Sequence, residues 1–306
     1  MDALFAHLRP AVLVFARGDL WPGVVAAAER HRVPVVLLSA EVRPASTRLH
    51  PAVRRFLRPS YERVHWAGAI SSEDAERLHP LGVPESAIEI TGDARHDHIL
   101  EREVAIARVR AVLDWAGSDP VVVAGSTHPE DEAVLLRAFR AVTARYPARL
   151  VLVPHEPGPA RTASLAAAAR GMNLPAATGL PATPDARVTI SSSIGVLADL
   201  YAAATFAYVG GGLGRGLHAV AEPAAFGIPV TFGLRDPAAA SADATRLVAA
   251  GGGSSVPRRG AVEALTAQWL QWLGNPDAMR HAGLAARRTL QQGAADASAA
   301  AIMRFC

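Results

Sequence analysis

The chain has 306 residues, half of them hydrophobic, enough for one large or two medium domains with real cores, and this excludes global disorder. All 31 basic residues are arginine, set against 28 acids, and the net charge of +3 suits an anionic ligand or a membrane surface while being too small to argue for nucleic-acid binding. The single cysteine, Cys306, excludes an internal disulfide framework and a CxxC metal site, which makes a reducing compartment the default; no apolar run reaches a membrane span of roughly 18–20 residues, and residues 1–10 do not read as a signal peptide.

Short Val- and Ile-rich runs alternate with Ala/Arg/Glu stretches of helical length. The expected order opens with a strand at 11–16, a helix at 21–30 and strands at 33–40 and 64–70. A helix follows behind Ser71-Ser72-Glu73-Asp74, which supplies a cap and first-turn acids, then a short strand at 87–90. One helix over 97–115 leaves this first sheet, and the pattern restarts: strand 120–124, helix 129–146, strand 149–153, helix 157–170. A proline-rich surface loop is expected at 172–186, then strands at 187–190 and 206–209 around a helix at 195–203. Helix 219–226, strands 229–232 and 254–256, and two closing helices near 261–273 and 276–305 complete the chain. Strands alternating with helices predict an α/β protein with parallel sheets in two Rossmann-like domains, residues 1–105 and 106–306, with the boundary near 100–118.

The densest motif is Tyr208-Val209-Gly210-Gly211-Gly212-Leu213-Gly214-Arg215-Gly216-Leu217-His218. Glycines let the backbone approach a ligand and adopt positive φ, and a helix start behind them offers free N–H groups to a phosphate, with Arg215 adding charge. The alternative is a tight turn, although five glycines in seven residues exceed what a turn needs. The spacing is not that of the dinucleotide fingerprint. Glu222 follows His218 by four residues and would share its helix face, placing a carboxylate for ribose hydroxyls or merely a first-turn acid.

Gly125-Ser126-Thr127-His128-Pro129-Glu130 follows an expected strand end, where open α/β sheets bind ligands. Ser126 and Thr127 would cap the next helix or hold a phosphate or sugar oxygen. Pro154-His155-Glu156-Pro157, also past a strand, is a rigid polar projection or a plain loop. In the first half, Arg17-Gly18-Asp19 sits in the same way; Asp19 caps a helix at minimum, and both charged residues are candidates to face an acceptor. Asp93, His96 and His98 are close enough in sequence to suggest a metal, but so short a segment more often forms an Arg–Asp network, and no metal site is expected. No nucleophile elbow, P-loop or HExxH sequence is present.

In series these pieces resemble the Kdo transferases, glycosyltransferases that move 3-deoxy-D-manno-octulosonic acid from CMP-Kdo to the lipid A precursor of lipopolysaccharide. The resemblance rests on Asp19-Leu20-Trp21-Pro22, Ser39-Ala40 with Arg43-Pro44, Ser72-Glu73-Asp74-Ala75 with Leu81-Gly82, and Thr91-Gly92-Asp93 with Arg95 and Asp97. It continues through Ser126-Thr127-His128, Pro154-His155-Glu156-Pro157, Ile194-Gly195 with Leu197, the glycine block, and Glu222-Pro223 with Gly227-Ile228-Pro229-Val230 and Phe232-Gly233.

The resemblance implies a GT-B fold with an incomplete first domain and no required metal or cofactor. It places CMP-Kdo on the second domain against Ser126, Thr127, His128, Pro154, His155, Glu156, Gly211, Gly212, Gly214, Arg215, Gly216, His218 and Glu222, with Arg17 and Asp19 on the acceptor side. It implies action at the cytoplasmic face of the inner membrane, by peripheral contact. Family members carry the general base on a Gly-Glu motif in a segment expected to precede residue 1, so transfer by this chain alone is expected to be poor, and the catalytic residue is left open. A separate front half or self-association would cover the open edge of the first sheet. Two departures are Asp19, where the family has Glu, and Ala219, where it has Asn after the glycine-loop histidine. A UDP-sugar transferase or epimerase, or a non-catalytic binding homologue, are the alternatives.

Overall fold

The computed structural model describes residues 1–180, 182–237 and 240–306. The chain forms two compact units, one of Met1–Glu101 with Gln291–Cys306 and one of Arg102–Leu290.

In the first unit the order is α1 (Asp2–Leu8), β1 (Leu13–Ala16), α2 (Pro22–Arg30), β2 (Val35–Ala40), α3 (Pro51–Tyr61), β3 (Val64–Ala69), α4 (Ser72–Leu81), β4 (Ile88–Ile90) and α5 (Ala94–Glu101). The four strands lie in the order β1-β2-β3-β4, all parallel. Both faces are covered, which is why the strands read as continuous apolar runs rather than alternating ones. Val35 and Leu37 face a core shared with Val25, Tyr61 and Leu78. Their neighbours Val36 and Trp66 face the opposite way, onto Ala301. At the edge, β1 buries Leu13 and Phe15 only partly and leaves Val14 39% exposed.

The second unit runs α6 (Ile106–Ala116), β5 (Val121–Thr127), α7 (Pro129–Thr143), β6 (Arg149–Pro154), α8 (Pro159–Gly171), β7 (Ala176–Thr178), β8 (Val188–Ile190), α9 (Leu197–Tyr201), β9 (Phe206–Val209), α10 (Ala221–Ala224), β10 (Val230–Leu234), α11 (Ala242–Ala249), β11 (Gly253–Pro257), α12 (Ala261–Gly274) and α13 (Pro276–Arg288). Its seven strands are all parallel, in the order β11-β10-β9-β5-β6-β8-β7. Val122, Leu150 and Phe206 pack on one face with Leu135, Phe139 and Trp269. Val121, Val123 and Val151 pack on the other with Val112, Leu200 and Tyr201. The register sets Gly125 beside Val209 and Thr127 beside Pro154, so the loops leaving β9, β5 and β6 emerge side by side.

The structure departs from the sequence reading at several points. The last helix, α14 (Ala294–Met303), belongs to the first unit, so the second does not extend from 106 to the end of the chain. Its start is held there by Asp97, whose carboxylate accepts from Gly293 N–H at 2.7 Å and Ala295 N–H at 2.8 Å. The expected helix 276–305 is therefore two, broken at Gly293 with φ +90°. The expected helix 97–115 is also two, α5 and α6. The buried Asp199 takes the Ala105 N–H at 3.3 Å and pairs with Arg108 at 2.5 Å, which starts α6 afresh. The loop expected at 172–186 contains the edge strand β7; residue 181 lies outside the described residues. The helix after the glycine loop is only Ala221–Ala224, and α1, α3 and α11 had no counterpart in the sequence reading.

Candidate functional site

Three histidines from three loops meet at the carboxyl edge of the second sheet: His128 after β5, His155 after β6 and His218 after β9. His128 and His218 have ring centroids 5.3 Å apart, planes 14° apart and Nε2 atoms 3.1 Å apart. An imidazole nitrogen lies only about 1 Å from its ring centre, so these values describe two nearly coplanar rings meeting nitrogen to nitrogen, one donating and one accepting. His155 lies over His218 at 4.5 Å and near His128 at 4.9 Å. Burial, then the neighbouring His155 and His128, hold the His218 pKa below the usual histidine value, against an opposing pull from Asp131. His155 is exposed, and its backbone N–H is fixed by the Thr127 carbonyl at 3.0 Å.

Beneath the histidines is Asp131, completely buried. One carboxylate oxygen accepts the backbone N–H groups of His128 at 3.0 Å and Gly211 at 2.8 Å, and the other accepts the Tyr208 hydroxyl at 2.8 Å. A single side chain thus ties the start of α7 to β9 and to the glycine loop. Tyr208 stays neutral because burial, reinforced by Asp131, pushes its pKa well up. Asp131 was not singled out in the sequence; its signal was the acid three residues after a helix N-cap.

The glycine loop divides between turn and ligand roles residue by residue. Gly211 has φ +91°, and a side chain there would meet the Gly216 carbonyl; at Gly212 one would meet the Gly233 carbonyl, and at Gly210 the Ser126 carbonyl. The protein's own backbone requires these three. Gly214 is less confined, a Cβ standing 3.2 Å from the Glu130 carboxylate carbon, and Gly216, at φ +120°, faces open space. The amides of Gly214 and Gly216 donate to the Gly211 carbonyl at 3.0 and 2.9 Å, and that of His218 to Gly210 at 3.2 Å. Arg215 is exposed.

Other expected roles change. Ser126 and Thr127 belong to β5, and the N-cap of α7 is His128. Ser126 has φ +52°, and its carbonyl packs on Gly210. Thr127 donates to buried Glu132 at 3.1 Å; Glu132, its pKa raised by burial, also pairs with Arg161. Pro154 ends β6 in the core, and Glu156 is exposed. His218 lies outside α10, so it shares no helix face with Glu222, and a four-residue helix that begins only at Ala221 does not place the expected helix-start N–H groups directly behind the glycines. Glu222 is instead grouped with buried Tyr201 and with Arg102; burial raises its pKa and Arg102 opposes the rise.

On the first unit, Arg17 is in the left-handed region at φ +70° and ion-pairs with Glu41. Arg48 braces the same turn, donating to the Gly18 carbonyl at 2.6 Å and the Glu41 carbonyl at 2.7 Å, and the Tyr61 hydroxyl donates to Gly18 at 2.8 Å. Asp19 is exposed, and the N-cap position of α2 is Trp21, whose side chain makes no capping hydrogen bond. Asp93 is buried and pairs with Arg95, while His96 Nδ1 accepts the Gln291 N–H at 3.2 Å; His98 is exposed.

Residues 1–98 match the family model described as 3-deoxy-D-manno-octulosonic-acid transferase (kdotransferase). The 3-deoxy-D-manno-octulosonic acid transferase of Bordetella pertussis is 31% identical over 235 residues, covering 72% of this chain and 53% of the relative. That of Haemophilus influenzae is 26% identical over 231 residues, covering 74% and 54%. The chain is a Kdo transferase homologue. It spans about half the length of these curated relatives. Among solved structures, the C-terminal CMP-Kdo binding domain of WaaA from Acinetobacter baumannii is 22% identical, with a TM-score of 0.52 over 61% of this chain and all of that domain. A putative UDP-N-acetylglucosamine 2-epimerase from Listeria monocytogenes is 16% identical, with a TM-score of 0.68 over 98% of this chain and 76% of its own. These likenesses show that the Kdo transferase homologue has the GT-B type of fold.

Proposed function

We propose that the second unit binds CMP-Kdo and that the chain serves Kdo transfer to a lipid A precursor in lipopolysaccharide biosynthesis. One observation carries this reading: the loops after β5, β6 and β9 bring His128, His155, His218 and the glycine loop to one place at the carboxyl edge, where open α/β sheets bind nucleotides. Gly214, Arg215 and Gly216 approach the phosphate, and Glu222 accepts the ribose hydroxyls. As the bond from Kdo to the phosphate breaks, the departing CMP gains negative charge, which Arg215 and the histidine N–H groups stabilise. The curated relatives bear the name of this transferase, and the structural relative from Acinetobacter baumannii is a CMP-Kdo binding domain.

On the first unit, Arg17 and Asp19 form the acceptor side. Peripheral contact with the cytoplasmic face of the inner membrane would deliver the lipid; among the described residues no helix is long and apolar enough to cross a membrane. Calorimetric titration of the full chain with CMP and with UDP tests the donor reading. CMP should bind more tightly and shift the ring resonances of all three histidines. UDP preference, or CMP binding that leaves those rings unmoved, would overturn it. Transfer from CMP-Kdo to a lipid A precursor is then assayed separately.

A further inference from the structure

The histidine cluster can do something that donor binding does not require. We propose that His128, His155 and His218 form a site for one divalent transition-metal ion of the zinc, cobalt or nickel type. The three rings each offer a ligand atom, all within 4.8 Å of one another. Ligand nitrogens of a tetrahedral site, with metal–nitrogen bonds of about 2.0–2.1 Å, stand about 3.3 Å apart. The 3.1 Å between His128 and His218 Nε2 is already near that value.

The present contact points the two nitrogens at each other, so a metal between them must sit to one side of the line. Turning each ring by roughly 35–40° aims both at a common point with bonds of that length. His218 is half-buried and His155 exposed, which leaves both rings room to turn; the His128 backbone is fixed at the start of α7, so its buried ring must reach the shared point by rotation of its own side chain. Ligation through Nε2 requires each of these two rings to carry its proton on Nδ1. The three ligands rise from the ends of adjacent strands in one sheet, a stiff support for a small ion.

Three imidazoles select zinc, cobalt, nickel or copper over magnesium and calcium, which prefer oxygen. Exposure at His155 leaves a fourth position open to water or an oxygen anion. Asp131 lends negative charge from below but does not ligate, because its oxygens are taken by three donors. Its hold on the His128 amide gives the site a supporting shell.

The test is a cobalt(II) titration of the full chain without nucleotide, so it is independent of the donor reading. One equivalent should produce the intense visible bands of four- or five-coordinate cobalt, and zinc should bleach them. His155→Ala and His218→Ala should each weaken cobalt binding by more than about 100-fold, beyond the loss from removing a supporting group. His98→Ala, an exposed histidine of the other unit, should change nothing. Near-UV circular dichroism checks that the variants are folded; His155 is exposed, so that variant carries the test even if His218→Ala misfolds. A spectrum that remains that of hydrated cobalt, or bands that persist in His155→Ala, would overturn the proposal.

Discussion

Replacing Asp131 with asparagine tests whether one buried carboxylate organises the site. In the native chain it accepts three hydrogen bonds with no exposure to water. An amide oxygen can replace the oxygen that receives the His128 and Gly211 N–H groups, but those bonds lose their charge assistance. The amide NH2 then faces the Tyr208 hydroxyl, which already accepts from the Gly233 backbone, and its hydrogen is left without an acceptor. Bonds to charged groups contribute about 1.5–3 kcal/mol and neutral ones about 1, while an unsatisfied buried donor costs about 1–3. The expected destabilisation is therefore about 2–5 kcal/mol, a large part of a typical folding free energy. Two units need not unfold together, so hydrogen exchange resolved over β5, β9 and α12 is the appropriate measure. Tyr208→Phe should cost about 1–2 kcal/mol, and the double variant less than the sum of the two. Protection within about 1 kcal/mol of wild type in Asp131→Asn would refute the reasoning.

Asp131 also holds up the His218 pKa against burial and the other two rings. In Asp131→Asn that pKa should fall further, so His218 should lose its proton at a lower pH in an NMR titration. Gly212→Ala should destabilise the second unit by about 1–3 kcal/mol or more by driving a methyl into the Gly233 carbonyl, measured as a loss of exchange protection. Gly214→Ala should leave the fold intact and weaken CMP binding by about 10- to 100-fold, because the added methyl crowds the phosphate's approach to the loop backbone. Glu222 accepts two ribose hydroxyls with charge assistance only when ionised, since protonation turns one oxygen into a donor, and burial raises its pKa. CMP affinity should therefore fall as pH drops through that raised value, while Glu222→Gln should lose this dependence and keep only the titration of the phosphate itself. Asp97→Ala should cost about 1–2 kcal/mol locally, read as faster exchange in α14, because two helix-start N–H groups lose their acceptor.

The strands of both sheets, the short edge strand β7 excepted, were legible because parallel strands covered on both faces are short apolar runs between helical stretches, as in Val35–Ala40 and Val121–Val123. The glycine block and the histidine-bearing loops were legible as strand ends. Helix limits were not. Nothing in residues 102–105 announces a break, and α6 starts there because Asp199, far along the chain, takes its first amide. The end of β5 at Thr127 was missed because glycine and serine there read as turn residues, while pairing with β6 carries the strand through them.

Sequence alone determined the α/β class, the family resemblance and which motifs follow strands, since each depends on local composition and order. Only the tertiary structure decided that His128, His155 and His218 meet, that Asp131 holds two of their loops together, and that α14 returns to the first unit. The reason is physical. Proximity across parallel strands is set by sheet order and register, and β9 lies beside β5 although β6, β7 and β8 come between them in the chain.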